Sequence, residues 1–188
     1  MLVVASSGIA IANIAGGRTA NSQFKIPLNA AKDRSCKISN QSGLAELIRQ
    51  CKVIIWEEAS MAKRHDIEYL ERTLRDICNS DEIFGGKIVV FGGDFRQVLP
   101  VILMSTMHEA VDASFVMSPL WRRIEKIRLT TNIRAINDPA FSKFVLKVGE
   151  GVSPYEKGKT IKLPRSIVLR TCSSNSNSLH EELVDCIY

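Results

Sequence analysis

The stretch V-I-I-W-E-E-A-S-M, Val53 to Met61, decides the fold. Three aliphatic residues and a Trp lead directly into two adjacent carboxylates, Glu57 and Glu58. A continuous apolar run of this length predicts a strand that is buried in a parallel sheet. Paired acids at the end of such a strand commonly hold Mg²⁺ and position a water against a nucleotide phosphate. The alternative from this pattern alone is a pair of solvated charges after a strand.

Predicted strands and helices alternate along the chain. Apolar runs at Leu2–Ala5, Lys87–Phe91 and Ile127–Leu129 predict three further strands. From Ala62 to Cys78, apolar residues recur at spacings of three and four, which predicts an amphipathic helix. This alternation predicts an α/β fold with a mostly parallel sheet.

Polar segments follow these predicted strands. They are Ser6-Ser7-Gly8, Glu57-Glu58, Gly92-Gly93-Asp94 and the segment that carries Arg134. Ligands in open α/β sheets bind at the carboxyl ends of the strands, so we expect one site to collect these segments. After Asp94, Arg96 can pair with an acid and Gln97 can bond a terminal phosphate or position water. A turn whose polar residues face water is the alternative for this last segment.

Composition and charge restrict the class of protein. No apolar run among the 188 residues is long enough to span a bilayer. Five cysteines without a C-x-x-C pair indicate reduced thiols in an intracellular protein. Residues 1–50 carry six Lys or Arg against two acids, within a net charge of +5. This part is therefore suited to a polyanion, although a solvated basic face would have the same composition.

The order of these segments resembles the RecA-like motor domain of superfamily-one DNA helicases. The similarity is to the petite integration frequency (PIF) family, which includes helicases encoded by Helitron-type transposons. The resembling stretches are V-V-A-S-S-G-I-A, G-G-R-T-A-N-S-Q-F-K-I-P, I-I-W-E-E-A-S-M, G-G-K-I-V-V-F-G-G-D-F-R-Q-V-L-P-V and L-T-T-N-I-R-A. The resemblance implies a partial P-loop NTPase motor domain over residues 1–148. It also implies a partial segment, residues 149–188, that leads toward a second motor domain.

The resemblance implies roles for individual residues. Glu57 stands at the position of a Mg²⁺-linked acid, and Glu58 at that of the catalytic Glu that activates water. Gln97 matches a phosphate-sensing Gln, and Arg134 matches an Arg that reaches the γ-phosphate of ATP. The residues that match the family's single-stranded DNA track, or lie beside it, are Ser7, Gly8, Arg18, Thr19, Ser22, Phe24 and Lys25. Phe24 would stack on a base, or it would belong to the core.

Three features depart from the family pattern. Glu57 replaces an Asp, which lengthens the ligand and predicts a weaker Mg²⁺ site because Mg²⁺ demands near-ideal octahedral geometry. Asn21 stands where the family often has His, a milder change. The family's phosphate loop, G-x-x-x-x-G-K-[ST], lies upstream of the segment that here begins at Met1. We therefore expect an interior helicase fragment that lacks the first strand and the phosphate loop and is inactive alone.

The resemblance also implies partners and a cellular role. It implies ATP as the substrate, Mg²⁺ as the cofactor, and single-stranded and forked DNA as partners, with 5′-to-3′ translocation. DNA repair, recombination or telomere maintenance in the nucleus, or alternatively in the mitochondrion, is the implied setting. The alternative function is a non-catalytic, single-stranded-DNA-binding remnant of a transposon-derived helicase. The sequence does not indicate an oligomeric state.

Overall fold

The computed structural model describes residues 1–12, 14, 16–28, 30–31, 37–97, 99–152, 155–156, 160–164 and 167–168. The chain divides into two compact units, Met1–Leu129 and Thr130–Tyr188. The predicted segment 149–188 lies largely outside the described residues. The domain boundary after residue 148 therefore stays a prediction.

The first unit is built on a parallel sheet of four strands, as the alternation of elements predicts. The strands are β1 (Leu2–Ala5), β2 (Arg18–Thr19), β3 (Val53–Glu57) and β4 (Ile88–Phe91), in the spatial order β2-β1-β3-β4. Ala5 of β1 lies beside Glu57 of β3, and Trp56 of β3 lies beside Phe91 of β4. The carboxyl ends of these three strands therefore meet at one end of the sheet.

Helices connect the strands of the first unit. The α-helices are α1 (Gly8–Ala12), α2 (Ala20–Gln23), α3 (Gly43–Gln50), α4 (Arg64–Cys78) and α5 (Met107–Asp112). Short 3₁₀ helices span Ala59–Met61, Ile83–Gly86, Phe115–Met117 and Pro119–Arg123. The Ser42 hydroxyl accepts a hydrogen bond from the Ala45 N–H at 3.2 Å. This N-cap starts α3 by satisfying a donor that the helix leaves unpaired.

The longest helix, α4, buries the face that its spacing predicts. Ile67, Leu70 and Leu74 are fully buried, and Ile77 is 3% exposed. They belong to one core cluster that also contains β-strand residues. The helix ends at Asn79 with φ 48°, a left-handed conformation that Asn adopts more readily than most residues.

Two sequence predictions about strands are wrong. The apolar run of β4 predicts a fully buried strand, but Ile88 is 63% and Val90 49% exposed. Ile88 and Val90 point to the same face of β4, so this face stays open to solvent within the described residues. Residues 127–129 form no strand: Ile127 is 82% and Leu129 90% exposed, and none of the described strands pairs with them. Apolar composition alone does not make a strand where no ladder partner takes its backbone groups.

The second unit contains one helix and one small strand pair within its described residues. The helix, α6, spans Pro139–Gly149, and β5 (Tyr155–Glu156) pairs antiparallel with β6 (Thr160–Ile161). A side-chain oxygen of Asp138 accepts a hydrogen bond from the Phe141 N–H at 2.9 Å. With Pro139 at the first helical position, this cap fixes the start of α6.

Replacing Leu74 by Ala should lower the free energy of unfolding by about 2–5 kcal/mol, because it leaves a cavity in the core. Leu103→Ala makes the same chemical change at a side chain that is 90% exposed, and should change stability by less than about 0.5 kcal/mol. Urea denaturation followed by tryptophan fluorescence measures both variants, since Trp56 and Trp121 both lie in the first unit. Equal losses would contradict the burial of this face of α4.

Candidate functional site

Backbone hydrogen bonds join the three strand ends that the sequence predicts to converge. The Ser6 N–H donates to the Glu57 carbonyl at 3.1 Å. The Ala59 N–H donates to the Gly92 carbonyl at 2.7 Å, and the Gly92 N–H donates to the Trp56 carbonyl at 2.9 Å. The serine loop after β1, the acid pair after β3 and the glycine loop after β4 therefore form one connected surface.

Arg134, which the sequence predicts to reach the site, does not follow a strand of the four-stranded sheet. It lies in the second unit, in an exposed turn. The strand predicted to precede it is absent among the described residues. Its contact with a γ-phosphate therefore stays a prediction.

The two acids after β3 differ in backbone conformation. Glu57 is the exposed last residue of β3, and its side chain lies over Gly92. A Cβ atom on Gly92 would come within 2.8 Å of Glu57 Oε2, so the glycine makes room for this carboxylate. Glu58 is half-buried and left-handed, with φ 54° and ψ 38°. This conformation costs a non-glycine residue about 1–2 kcal/mol, a form of strain that is concentrated at functional sites.

The second glycine of the loop approaches the turn after the acids. A Cβ atom on Gly93 would lie 2.9 Å from the backbone nitrogen of Ser60 and 2.9 Å from its hydroxyl oxygen. Ser60 is 1% exposed, and its hydroxyl has no hydrogen-bond partner within the described part of the chain. The glycine therefore permits close packing of the two loops at the cost of one buried, unsatisfied hydroxyl.

The polar residues after the glycines form a tight turn. Asp94 accepts two hydrogen bonds from the Arg96 guanidinium, from Nε at 2.9 Å and from Nη2 at 3.1 Å. These bonds, together with the Arg96 backbone N–H, hold the pKa of the Asp94 carboxyl below its usual range. The Gln97 N–H donates to the Asp94 carbonyl at 3.1 Å, and Gln97 itself is exposed. The predicted pairing of Arg96 with an acid is therefore confirmed. The Gln97 side chain is exposed to solvent, in the loop that follows the carboxyl end of β4.

Three of the predicted DNA-binding residues line one groove. Arg18, Ser22 and Lys25 line a groove of about 530 Å³, whose lining also includes Leu44 and Leu47 of α3. All three side chains are exposed. The groove therefore combines two cations and a hydroxyl with an apolar wall.

Three further predicted DNA-binding residues lie at or just after the carboxyl ends of β1 and β2. The Ser7 hydroxyl accepts a hydrogen bond from the Ala10 N–H at 3.2 Å, which orients the start of α1. Gly8 is exposed, with open space around it. Thr19, half-buried, precedes α2 without a side-chain cap bond. Their contact with DNA stays a prediction.

Phe24 belongs to the core. Its side chain is fully buried, in the same cluster as Ile48 and Trp56. A ring without exposed surface cannot stack on a base, so the DNA-binding assignment of Phe24 is wrong. The alternative that the sequence left open, a core Phe, is confirmed.

Residues 1–159 match the family model described as PIF1-like helicase. The chain belongs to this family. ATP-dependent DNA helicase RRM3 of Saccharomyces cerevisiae is 32% identical over 163 residues, which cover 85% of this chain and 22% of the yeast protein. ATP-dependent DNA helicase PIF1 of Danio rerio is 35% identical over 98 residues, or 52% of this chain and 15% of the fish protein. The chain thus spans about a fifth of the length of these curated relatives.

Solved structures of PIF1-like helicases share the fold. The crystal structure of Bacteroides sp Pif1 in complex with ADP-AlF4 superposes with a TM-score of 0.66 at 28% identity, over 81% of this chain and 37% of that one. Bacteroides Pif1 bound to ssDNA gives 0.65 at 28% identity, over 80% and 37%. The first unit of this chain is therefore a RecA-like α/β fold, as the sequence resemblance implies.

The acid pair fits a hard cation only in part. No group of three or more His, Cys, Asp or Glu side chains that could hold a metal ion occurs within the residues that the structure describes. Glu57 nevertheless presents an exposed carboxylate beside the glycine loop, and Mg²⁺ in nucleotide sites is usually held by one or two carboxylates plus substrate phosphates.

The described helices include none that is long and apolar enough to cross a membrane.

One polar contact at the site is not predictable from the local sequence pattern. The indole N–H of Trp56 donates to the Ser6 hydroxyl at 2.9 Å, across 50 positions of sequence. The sequence places Ser6 in one of the segments expected to converge, but it indicates no partner for the Ser6 hydroxyl. The available signal was a Trp, with its single polar atom, at the end of an otherwise aliphatic strand, since a buried indole N–H generally finds a partner.

The two glycines give a matched pair of variants. Gly93→Ala should lower the free energy of unfolding by about 1–3 kcal/mol, because the new Cβ meets the backbone of Ser60, which cannot rotate away. Gly92→Ala should change it by less than about 0.5 kcal/mol, because its Cβ meets the flexible end of Glu57. Urea denaturation of both variants is the measurement. A larger loss for Gly92→Ala would contradict this geometry.

Proposed function

We propose that this chain is part of the motor of an ATP-dependent DNA helicase that translocates 5′ to 3′ along one strand. The observation that carries the proposal is the hydrogen-bonded junction of three strand ends. It places an acid pair beside a glycine loop and beside a serine loop that matches the family's DNA track. The match to the PIF1-like family model over residues 1–159 supports the same function.

The acids' side of the junction is the proposed nucleotide site. Glu57 would hold Mg²⁺, which would supply positive charge to the phosphates when bound. Glu58 would accept the proton of the attacking water, Gln97 would contact a phosphate and Arg134 would neutralise charge on the γ-phosphate. The Bacteroides Pif1 structure with ADP-AlF4 supports nucleotide binding by relatives of this chain.

The groove beside β2 and the loop after β1 are the proposed nucleic-acid interface. Arg18 and Lys25 would neutralise backbone phosphates, while Thr19 and Ser22 would donate hydrogen bonds to phosphate oxygens. Ser7 and Gly8 would lie along the DNA strand, which could approach closely because the space around Gly8 is open. The Bacteroides Pif1 structure bound to ssDNA supports this partner class, and forked DNA is part of the proposal.

The cellular role rests on the family resemblance alone. It comprises DNA repair, recombination or telomere maintenance in the nucleus, with the mitochondrion as the alternative. We also propose that the 188-residue chain alone has no motor activity. A non-catalytic DNA-binding remnant is the second candidate function, favoured by Glu57 in place of Asp and by the basic composition of residues 1–50.

Glu58→Gln should reduce single-stranded-DNA-stimulated ATP hydrolysis by about 10²–10⁴-fold in the full-length gene product, because Gln keeps the size of the side chain and loses the base. Nucleotide binding should remain within about twofold of the wild type, since the substitution removes a group needed for the chemical step. Glu57→Asp, which restores the family's shorter ligand, should leave turnover equal or higher. Turnover close to wild type in Glu58→Gln would refute the role of Glu58.

Arg18→Ala combined with Lys25→Ala should weaken the binding of a mixed-sequence oligonucleotide to the 188-residue chain. Each lost phosphate contact should reduce the slope of log affinity against log salt by ~0.7, because fewer counterions are released. Fluorescence anisotropy over a series of salt concentrations measures affinity and slope together.

The control variant combines Lys143→Ala with Lys147→Ala. It removes the same charge from α6, which contributes no residue to the groove. The control should bind with the wild-type slope. Identical slopes in the wild type and the Arg18/Lys25 variant would show that the groove does not bind DNA.

A further inference from the structure

Five aromatic side chains of the first unit form a continuous chain of ring contacts. Trp56 contacts Phe91 with 6.1 Å between ring centroids, and Phe91 contacts Phe115 at 5.0 Å. Phe115 meets Trp121 edge-on at 5.3 Å, and Trp121 meets Phe95 edge-on at 5.4 Å. We name this set, Trp56, Phe91, Phe115, Trp121 and Phe95, the aromatic chain. The centroid distances fall in the range in which aromatic pairs attract one another beyond simple burial.

The aromatic chain fixes the glycine loop at both ends. Phe91 immediately precedes Gly92, and Phe95 immediately follows Asp94. Phe91 packs on Phe115 and Phe95 packs on Trp121, while Phe115 and Trp121 contact each other. The three residues between Phe91 and Phe95 are therefore held by two anchored aromatic side chains. Phe95 is 38% exposed, so without its contact with Trp121 the loop would be attached only at the Phe91 end.

The segment that carries Phe115 and Trp121 is itself tied to α4. The Ser118 hydroxyl, which is buried, donates to Glu68 Oε1 at 2.7 Å and accepts from the Leu120 N–H at 3.3 Å. The Arg64 N–H donates to the Ala113 carbonyl at 2.7 Å. Lys126 lies over the Trp121 ring, 5.3 Å from its centroid, which adds a cation–π contact on the solvent side. This segment therefore joins the aromatic chain to α4 through hydrogen bonds.

The other end of the aromatic chain reaches the serine loop. The Trp56 indole donates its N–H to the Ser6 hydroxyl at 2.9 Å, one residue before Ser7 and two before Gly8. The proposed DNA loop and the loop that carries Gln97 are thus connected through side chains as well as through the backbone of the sheet.

We propose that Trp121 and Trp56 are positioning residues that join the loop Ser6–Gly8 to the loop Gly92–Gln97, so that single-stranded DNA on the first loop orders the second. The inference rests on the proposed function for the identity of the ligand, but the mechanical link does not depend on it. Trp121 sets the position of the loop through Phe95, and Trp56 sets the position of Ser6 through its N–H.

Hydrogen–deuterium exchange of the 188-residue chain tests the link without any ligand. Trp121→Leu should raise exchange by about two- to tenfold, the equivalent of one lost aromatic pair, in peptides that cover Gly92–Gln97 and in those that cover Ser6–Gly8. Trp121→Phe, which can keep the edge contacts, should restore wild-type exchange in both. Phe84→Leu is the matched control, because it also removes one ring contact with Phe91, at 5.7 Å, but leaves the Phe95–Trp121 contact and the Trp56–Ser6 hydrogen bond in place.

A second arm adds a saturating mixed-sequence oligonucleotide. In the wild type it should protect Gly92–Gln97 from exchange, and in Trp121→Leu this protection should be lost while DNA affinity stays within about twofold. A rise confined to Gly92–Gln97 in the ligand-free arm, or one no different from that of Phe84→Leu, would overturn the link. If bound DNA left Gly92–Gln97 unprotected in the wild type, the proposal that DNA orders this loop through the link would be overturned. Absence of DNA binding by the wild type would refute the proposed function and the use of the link, while the ligand-free arm would still decide whether the link exists.

Discussion

Parallel pairing on both sides of β3 is the constraint on which the first unit depends. The register places Ala5 beside Glu57 and Trp56 beside Phe91, so the chain leaves three strands at the same height. A shift of one residue would turn every β3 side chain to the opposite face, moving Trp56 out of the core. The fully buried side chains of Ile54 and Trp56 therefore fix the register, and the register in turn fixes the acids.

Backbone conformation at the strand ends is adapted to close approach. Glu58 takes a left-handed conformation that lets the chain turn at once after β3, and Gly93 leaves no Cβ to block that turn. The hydrogen bond from Ala59 to Gly92, at 2.7 Å, stabilises the two loops in contact. Strain at one residue is thus offset by bonds that its neighbours can make only in this arrangement.

Sequence patterns predicted the elements whose signals are local. β1, β3 and α4 were predictable because apolar runs and spacings of three and four report directly on burial. The exposed face of β4 and the absence of a strand at 127–129 were not, because the first depends on what covers the sheet and the second on which strands lie alongside. The burial of Phe24 was left open for the same reason: an aromatic residue in a basic segment serves equally for the core or for a ligand. The contact of Trp56 with Ser6 required the fold, since it joins residues 50 positions apart.

The geometry changes what the longer acid at position 57 implies. From sequence, an added methylene predicts a carboxylate pushed outward from the site of a divalent cation. In the structure, Glu57 Oε2 lies over Gly92, within 2.8 Å of where a Cβ would be, so the extra length is accommodated above the glycine. The substitution and the glycine therefore act together. A side chain at position 92 would force the Glu57 carboxylate to move, because the Cβ atom would lie only 2.8 Å from its Oε2. The departure from Asp thus makes Gly92, rather than the acid alone, the determinant of whether the carboxylate stays at the junction.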